Sequence, residues 1–85
     1  MNTISTEIWE GLTSPSDYIR WQTAKRPDLT REAIIVSLSD KEWSVRLAAV
    51  MNPLCPDDLL KEATADPSRH VRNFAQDTIA GRTRA

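Results

Sequence analysis

Three arginines recur at intervals of 26 residues and are the first candidates for a binding surface. Arg20, Arg46 and Arg72 each follow a β-branched apolar residue. Equal spacing would place them in a ladder with steps of about 10 Å, the distance between packed helices. Such a ladder can bind an acidic peptide or the phosphates of a nucleic acid. The competing interpretation is that each arginine pairs with a carboxylate of its own or the next repeat, such as Asp40 or Asp66, because a basic residue present in every repeat more often serves the repeat.

Trp43 is the second candidate, because the repeat places Asp17 and Arg69 at the equivalent positions. A position that is polar in the other repeats is expected to face solvent, and an exposed tryptophan is a typical anchor for a protein partner. Alternatively, its ring lies over the first turn of a neighbouring helix. Trp9 and Trp21 align with residues that become aliphatic and then polar in later repeats. This trend predicts a self-covering N-terminal cap or, alternatively, an end that pairs with another chain.

The remaining reactive side chains give no support for catalysis or for metal binding. Cys55 and His70 are the only residues of their types, and one thiol cannot hold a zinc ion or an iron–sulfur cluster. Cys55 is expected to be a small buried residue and His70 a half-exposed polar one. The adjacent Asp57 and Asp58 fall in the first turn of a predicted helix, where the helix dipole accounts for them. We therefore expect neither an enzyme nor a cofactor.

The composition is that of an ordinary globular chain. Of the 85 residues, 40% are hydrophobic and 27% are charged, and the formal net charge is −1. This balance argues against disorder and includes no basic block of the kind that marks a nucleic-acid-binding surface. The longest apolar run, residues 47–51, is far shorter than the ~20 residues that span a bilayer, and the first ten residues lack the pattern of a signal peptide. With a single cysteine, the chain is expected to be cytoplasmic.

The residues that are expected to begin and end helices follow the same 26-residue repeat. Ser14, Asp40 and Asp66 are aligned and are all good N-caps, which predicts helices that begin near them. Prolines at 27 and 53 are expected to end these helices, because the residue before proline disfavours the helical conformation. The other predicted segments are second helices over 30–38 and 56–65, an N-terminal helix over 5–12, a last half-repeat from 72 to about 81, and a frayed tail over 81–85.

These helix pairs predict an all-α fold. No segment shows sustained period-two alternation, and the chain lacks Asn-Gly and Asp-Gly hairpin turns. One helix pair cannot bury its apolar stripe alone, whereas stacked pairs can, as in an α-solenoid. We predict a single domain, a short α-solenoid of about three helix-pair repeats. Its predicted parts are a partial repeat over 1–19, full repeats over 20–45 and 46–71, and a half-repeat with a tail over 72–85.

The segment 52–72 resembles the leucine-rich repeat variant family. The shared features are Asn-Pro at 52–53, paired leucines at 59–60, Asp-Pro at 66–67 and Val-Arg at 71–72. The resemblance covers about residues 14–80 and implies a right-handed superhelix in which α-helices alternate with shorter or 3₁₀ helices. The first copy departs from the pattern at Arg26, Thr30 and Lys41. In that family's founding member, cysteines outside the repeats hold an iron–sulfur cluster; this chain lacks them, so no cluster is implied.

The patterns together predict a non-catalytic protein–protein interaction module. HEAT and armadillo arrays, which the architecture resembles more distantly, are mostly scaffolds that bind other proteins. The predicted contact residues for an unidentified protein or peptide are Trp43, Arg20, Arg46 and Arg72. Nucleic-acid binding along the arginine ladder is the alternative, although the balanced charge speaks against it. No membrane partner is expected, and association into a homodimer stays open.

Overall fold

The computed structural model describes residues 4–83, and within this range the chain is built from α-helices without any strand. The all-α prediction is therefore confirmed for these residues. None of the helices in this range combines the length and the apolar character needed to cross a bilayer. In chain order they are α1 (Thr6–Leu12), α2 (Asp17–Ala24), α3 (Arg31–Leu38), α4 (Trp43–Met51), α5 (Asp57–Ala63) and α6 (Arg69–Thr83).

The helices pack as successive pairs along the chain, α1 with α2, α3 with α4, and α5 with α6. In addition, α4 contacts α2 on one side and α6 on the other, so that the even-numbered helices form a continuous row. The odd-numbered helices α1 and α3 also contact each other. This pattern of contacts is consistent with a helical repeat, whereas the right-handed solenoid itself stays a prediction.

The aligned positions of the repeat have related environments inside this row. Val45 packs in a buried cluster with Ala24 and Ala48, and Val71 is equally buried in the cluster that extends through α5. The equivalent residue of α2, Ile19, is 45% exposed. The difference follows from position, because no even-numbered helix precedes α2 in the part of the chain that the structure describes.

Ser14, Asp40 and Asp66 are not the N-caps that the sequence pattern predicts. Each lies three residues before the first helical residue. Their side-chain oxygens instead accept hydrogen bonds from the main-chain N–H groups two residues later, at 3.1, 3.0 and 2.8 Å respectively. These bonds form turns that lead into the helices. In both aspartates the second carboxylate oxygen is then available to a more distant donor.

The predicted frayed tail is wrong for residues 81–83, because α6 continues to Thr83. Arg84 and Ala85 lie outside the described residues. Arg82 holds this end of the helix: its Nη1 donates hydrogen bonds to the carbonyl oxygen of Cys55 at 2.7 Å and to Oδ1 of Asp57 at 2.8 Å. The last turn of α6 is therefore attached to the start of α5.

Gly11 permits the close approach of the first helix pair. A Cβ atom at this position would overlap the side chain of Thr23 in α2. Thr23 itself is buried, and its hydroxyl donates to the carbonyl oxygen of Ile19. Because a side chain cannot fit between the two helices, glycine lets α1 lie directly on α2.

Candidate functional site

With each helix pair and the turn inside it taken as one structural repeat (α1–α2, α3–α4, α5–α6), Arg20 and Arg46 make the same two kinds of hydrogen bond, one within their own repeat and one to the next. In each, Nη1 donates to the main-chain carbonyl six residues earlier, that of Ser14 at 2.7 Å and of Asp40 at 2.8 Å. In each, Nε donates to a carboxylate twenty residues later, that of Asp40 or Asp66, at 2.9 Å. For Arg20 and Arg46 these contacts agree with the competing interpretation, in which each arginine pairs with Asp40 or Asp66, and not with the prediction that they are contact residues for a partner.

Both ion pairs lie inside the protein. The side chains of Arg20 and Asp40 are each 8% exposed, and those of Arg46 and Asp66 are 14% and 9% exposed. Their guanidinium groups bind carboxylates and carbonyls of this chain, and the buried side chains leave little surface for an acidic peptide or a phosphate. The nucleic-acid alternative required arginines in solvent without a carboxylate nearby, and these two do not meet that condition. Neither residue belongs to the site that we propose below.

Arg72 occupies the third position of the ladder and differs from the other two. Its Nη1 donates to the carbonyl oxygens of Asp66 at 2.8 Å and Pro67 at 3.0 Å. The bond to Asp66 reproduces the bond within the repeat that Arg20 and Arg46 make. Across residues 4–83, however, no carboxylate forms an ion pair with Arg72, which is only half-buried. This is the one arginine of the column that can still accept an anion.

Trp43 combines the two environments that its position predicted. The residue is 46% exposed, which leaves part of it accessible to a partner. At the same time its ring lies 5.0 Å from the ring of His70, centroid to centroid, at an interplanar angle of 32°. His70 belongs to the first turn of α6, so Trp43 covers the beginning of the neighbouring helix. Its aromatic surface is available on one side only.

A groove between α2 and α4 is the concave feature that the sequence did not reveal. It contains two adjoining cavities with volumes of about 360 and 230 Å³, and Trp21 lines both of them. We call it the α2–α4 groove. The residues that line it are Asp17, Tyr18, Trp21, Lys25, Ser44, Ala48, Met51, Asn52 and Pro53.

Trp21 is fixed at the centre of the α2–α4 groove by contacts on several sides. Its ring packs against the buried cluster that contains Ala24 and Ala48. The ammonium of Lys25 lies 4.0 Å from the Trp21 ring centroid, and the ring of Tyr18 lies 5.8 Å away at 30°. A cation over an aromatic face is an attractive arrangement. These contacts order the indole before any partner arrives and leave Trp21 partly exposed.

The groove is lined by two side chains of opposite charge. Asp17 lines the larger cavity and Lys25 the smaller one. Their backbones are eight residues apart on α2, about 12 Å along a helix, and the Lys25 ammonium itself lies over the central Trp21 ring. Neither side chain forms an ion pair with another described residue. The signal that could have found this surface was the helical spacing of 17, 21 and 25. It was missed because these positions change residue type from one repeat to the next.

Cys55 is buried, as the sequence predicted, with 1% of its surface exposed. Burial raises the pKa of the Cys55 thiol to about 11. Among the described residues, no group of three or more His, Cys, Asp or Glu side chains converges to hold a metal ion. The thiol therefore has the environment of a packing residue, since a nucleophilic or metal-binding cysteine must be present as thiolate.

The folded protein is expected to protect Cys55 from thiol reagents. At pH 8 a thiol with so high a pKa is almost entirely protonated, so reaction with a chromogenic disulfide should be at least ~50-fold slower in the folded chain than in urea. The absorbance of the released thiolate measures both rates. Equal rates in the presence and absence of urea would show that Cys55 is accessible and would contradict this prediction.

Comparisons of the chain with protein-family models, with curated proteins and with solved structures gave no match. The resemblance to the leucine-rich repeat variant family thus stays a prediction. The α2–α4 groove and the open position at Arg72 are two surface features of the described residues that are accessible to a partner.

Proposed function

We propose that this chain is a non-catalytic protein–protein interaction module, a short α-solenoid that binds a segment of another protein in the α2–α4 groove. The observation that carries the proposal is an exposed groove with Trp21 at its centre and two charged side chains of opposite sign, Asp17 and Lys25, among the residues that line it. Such a surface provides shape, apolar contact and orientation. A single buried cysteine suits a cytoplasmic setting for this role.

The apolar part of the groove would bind an anchor side chain of the partner. The smaller cavity is lined by Trp21, Met51 and Pro53 and by the small side chain of Ala48. Met51 is 53% exposed, and a flexible thioether adapts well to different ligands. Binding hot spots are typically aromatic and lie at the centre of the contact. An aliphatic or aromatic side chain of the partner, inserted beside Trp21, would supply most of the affinity.

The two charged side chains would select and orient the bound segment. Asp17 favours a basic residue and Lys25 an acidic one, with the anchor between them. An extended segment rises about 3.3 Å per residue, so at most about four of its residues lie along the ~12 Å of α2 between Asp17 and Lys25. The preferred ligand is therefore a segment in which a basic and an acidic residue, no more than about four positions apart, flank an apolar residue.

Selection from a random peptide library displayed on phage tests the proposal. The selected peptides are expected to carry the basic, apolar and acidic pattern. Met51→Glu places a charge in the apolar cavity and is expected to weaken binding at least ~20-fold. The matched control is Ile35→Glu, on α3 and 41% exposed, which adds the same charge away from the groove and should leave binding unchanged. Circular dichroism verifies that both variants stay folded.

Charge reversal at the rim provides a second, directional measurement. With Lys25→Glu, peptides selected on the original chain should bind about 5-fold more weakly, because an exposed charge at the rim of an interface contributes modestly. A new selection on this variant should replace the acidic residue of the pattern with a basic one. Peptides that bind Met51→Glu as well as the original chain, or that keep their acidic residue on Lys25→Glu, would refute the groove as the binding site.

A further inference from the structure

The arginine ladder is complete at two positions and incomplete at the third. Arg20 and Arg46 each hold a carbonyl of their own repeat and a carboxylate that precedes the next even-numbered helix. Arg72 holds the carbonyl of Asp66 in the same way, at 2.8 Å. The residues described by the structure provide no carboxylate for it. Arg20 and Arg46 therefore show, with a carboxylate bound, the arrangement that is open at Arg72.

We propose that Arg72 is a carboxylate-binding site for a protein partner. The expected ligand is an aspartate that stands just before a helix of the partner, held as Asp40 and Asp66 are held within this chain. In the two filled positions, Nε of the arginine donates to Oδ2 of the aspartate at 2.9 Å, while Oδ1 accepts a main-chain N–H two residues later. The same turn in a partner would present its free carboxylate oxygen to Arg72.

The guanidinium of Arg72 is already oriented for such a ligand. Two main-chain carbonyls, those of Asp66 and Pro67, hold its Nη1, so little side-chain freedom remains to be lost on binding. A planar guanidinium with one edge fixed leaves its other donors pointing in a defined direction. Arg69, one turn earlier on α6, is exposed and forms no ion pair among residues 4–83. It adds a second positive charge near the site.

The surface around Arg72 favours a polar partner over a second copy of this chain. Asn73 and Gln76 are exposed on α6, whereas the equivalent residues of α4 are Leu47 and Val50. A second copy that continued the repeat would place Ser14 against Arg72, because Ser14 is the residue that aligns with Asp40 and Asp66. A serine hydroxyl carries no charge to pair with the guanidinium, so a second copy stacked in this way would not supply the carboxylate.

The test uses the full chain, labelled with ¹⁵N, and a synthetic peptide as the probe. The peptide has the sequence of residues 66–80 of this chain, with an acetylated N-terminus, and so begins with an aspartate in the required turn. Addition of the peptide should shift the Nε–Hε resonance of Arg72 and leave those of Arg20 and Arg46 in place. A hydrogen-bonded charge pair contributes enough that the Asp66→Asn peptide should bind about 10-fold more weakly or worse.

Variants of the chain separate a specific site from general attraction between charges. Arg72→Gln is expected to weaken binding by about the same 10-fold, whereas Arg69→Gln, which removes the same charge from the same helix, should weaken it by no more than about 3-fold. Met51→Glu should have no effect, so the result does not depend on the α2–α4 groove. An absence of saturation at Arg72, equal binding of the two peptides, or equal loss in the two arginine variants would overturn the proposal. Competition by inorganic phosphate or oligothymidine at lower concentrations than the peptide would also overturn it and assign the site to phosphates.

Discussion

Removal of the Asp40 carboxylate, in Asp40→Ala, is expected to destabilise the protein by about 3–5 kcal/mol, because it leaves the buried guanidinium of Arg20 without its anion. Nε of Arg20 lies 2.9 Å from Oδ2 of Asp40, and both side chains are 8% exposed. The variant also loses the turn in which Asp40 accepts the N–H of Glu42 at 3.0 Å. For a chain of 85 residues the total free energy of unfolding is roughly 4–13 kcal/mol, so the loss is a large share of the whole.

Urea unfolding followed by circular dichroism measures this effect, and the ladder itself contains the control. Arg72→Ala removes the equivalent arginine at the position without a carboxylate partner. It should cost less than about 1 kcal/mol, because only hydrogen bonds to partly exposed carbonyls are lost. If Asp40→Ala and Arg72→Ala lower the free energy of unfolding by similar amounts, the Asp40 carboxylate contributes nothing to the ladder. The buried ion pair is then not what holds adjacent repeats together.

The double variant Arg20→Met with Asp40→Leu distinguishes the cost of an unpaired charge from the value of the pair. Replacing both partners with apolar residues removes the orphaned charge, so this variant should recover most of the stability that Asp40→Ala loses. The cycle of single and double variants gives the coupling energy directly. We expect a large coupling, because Arg20 of α2 and Asp40 before α4 join two successive repeats.

The parts of this structure that repeat were the parts that the sequence could predict. Val45 and Val71 share a repeat position and are both fully buried. The same spacing of 26 residues offered the pairing of Arg20 and Arg46 with aspartates as the competing interpretation, since side chains aligned in sequence become neighbours when helix pairs stack. Repetition therefore revealed contacts between distant residues, which local helix propensity alone cannot do.

The helix starts show where local reasoning failed. Asp40 and Asp66 were assigned as N-caps because aspartate is a good cap. In the structure each is recruited by an arginine of the preceding repeat and by an N–H two residues later, so the helix begins three residues further on. The tertiary partner decides the outcome, and that partner lies twenty residues away in the chain.

The α2–α4 groove escaped prediction for the opposite reason. Its central residue, Trp21, aligns with Leu47 and Asn73, so the position carries no common residue type from one repeat to the next. The groove exists because α2 and α4 lie side by side and because the small Ala48 faces the large Trp21. Because the groove arises from differences between the repeats, their similarity does not reveal it.

The links between repeats also explain why the candidate sites lie where they do. Each link joins a residue of one repeat to a group of the next, and among residues 4–83 two groups are left without the other half of such a link. At the end formed by α6 the unpaired half is Arg72. At the other end it is Ser14, whose main-chain carbonyl accepts the Arg20 guanidinium and whose side chain accepts only the N–H of Ser16. Among residues 4–83 the links at Arg20 and Arg46 are filled, and the two binding sites that we propose are the open position at Arg72 and the α2–α4 groove.

A second link between repeats is centred on Asn52, and its loss should destabilise the protein nearly as much as the loss of an ion pair in the arginine ladder. Asn52 is 3% exposed, and its Nδ2 donates to the carbonyl oxygens of Ala24 at 3.0 Å and Arg26 at 2.9 Å. Its Oδ1 accepts the N–H of Leu54 at 3.0 Å. The last carbonyls of a helix have no partner within the helix, and Asn52 supplies one for the end of α2. The Asn-Pro pair was interpreted only as a helix stop, because this bond crosses between repeats.

Asn52→Ala is expected to cost about 3 kcal/mol, since two carbonyls and one N–H lose their partner together. Asn52→Asp keeps the shape and the bond to Leu54 but replaces the donor with a carboxylate oxygen, which the two carbonyls repel. It should therefore lose at least as much stability as Asn52→Ala at pH 7, in urea unfolding. Asn73→Ala, at an exposed asparagine of α6, is the control and should change the stability by less than about 0.5 kcal/mol. Full stability of Asn52→Asp would mean that donation to the end of α2 is not what Asn52 contributes, and the second link between repeats would have to be attributed to packing alone.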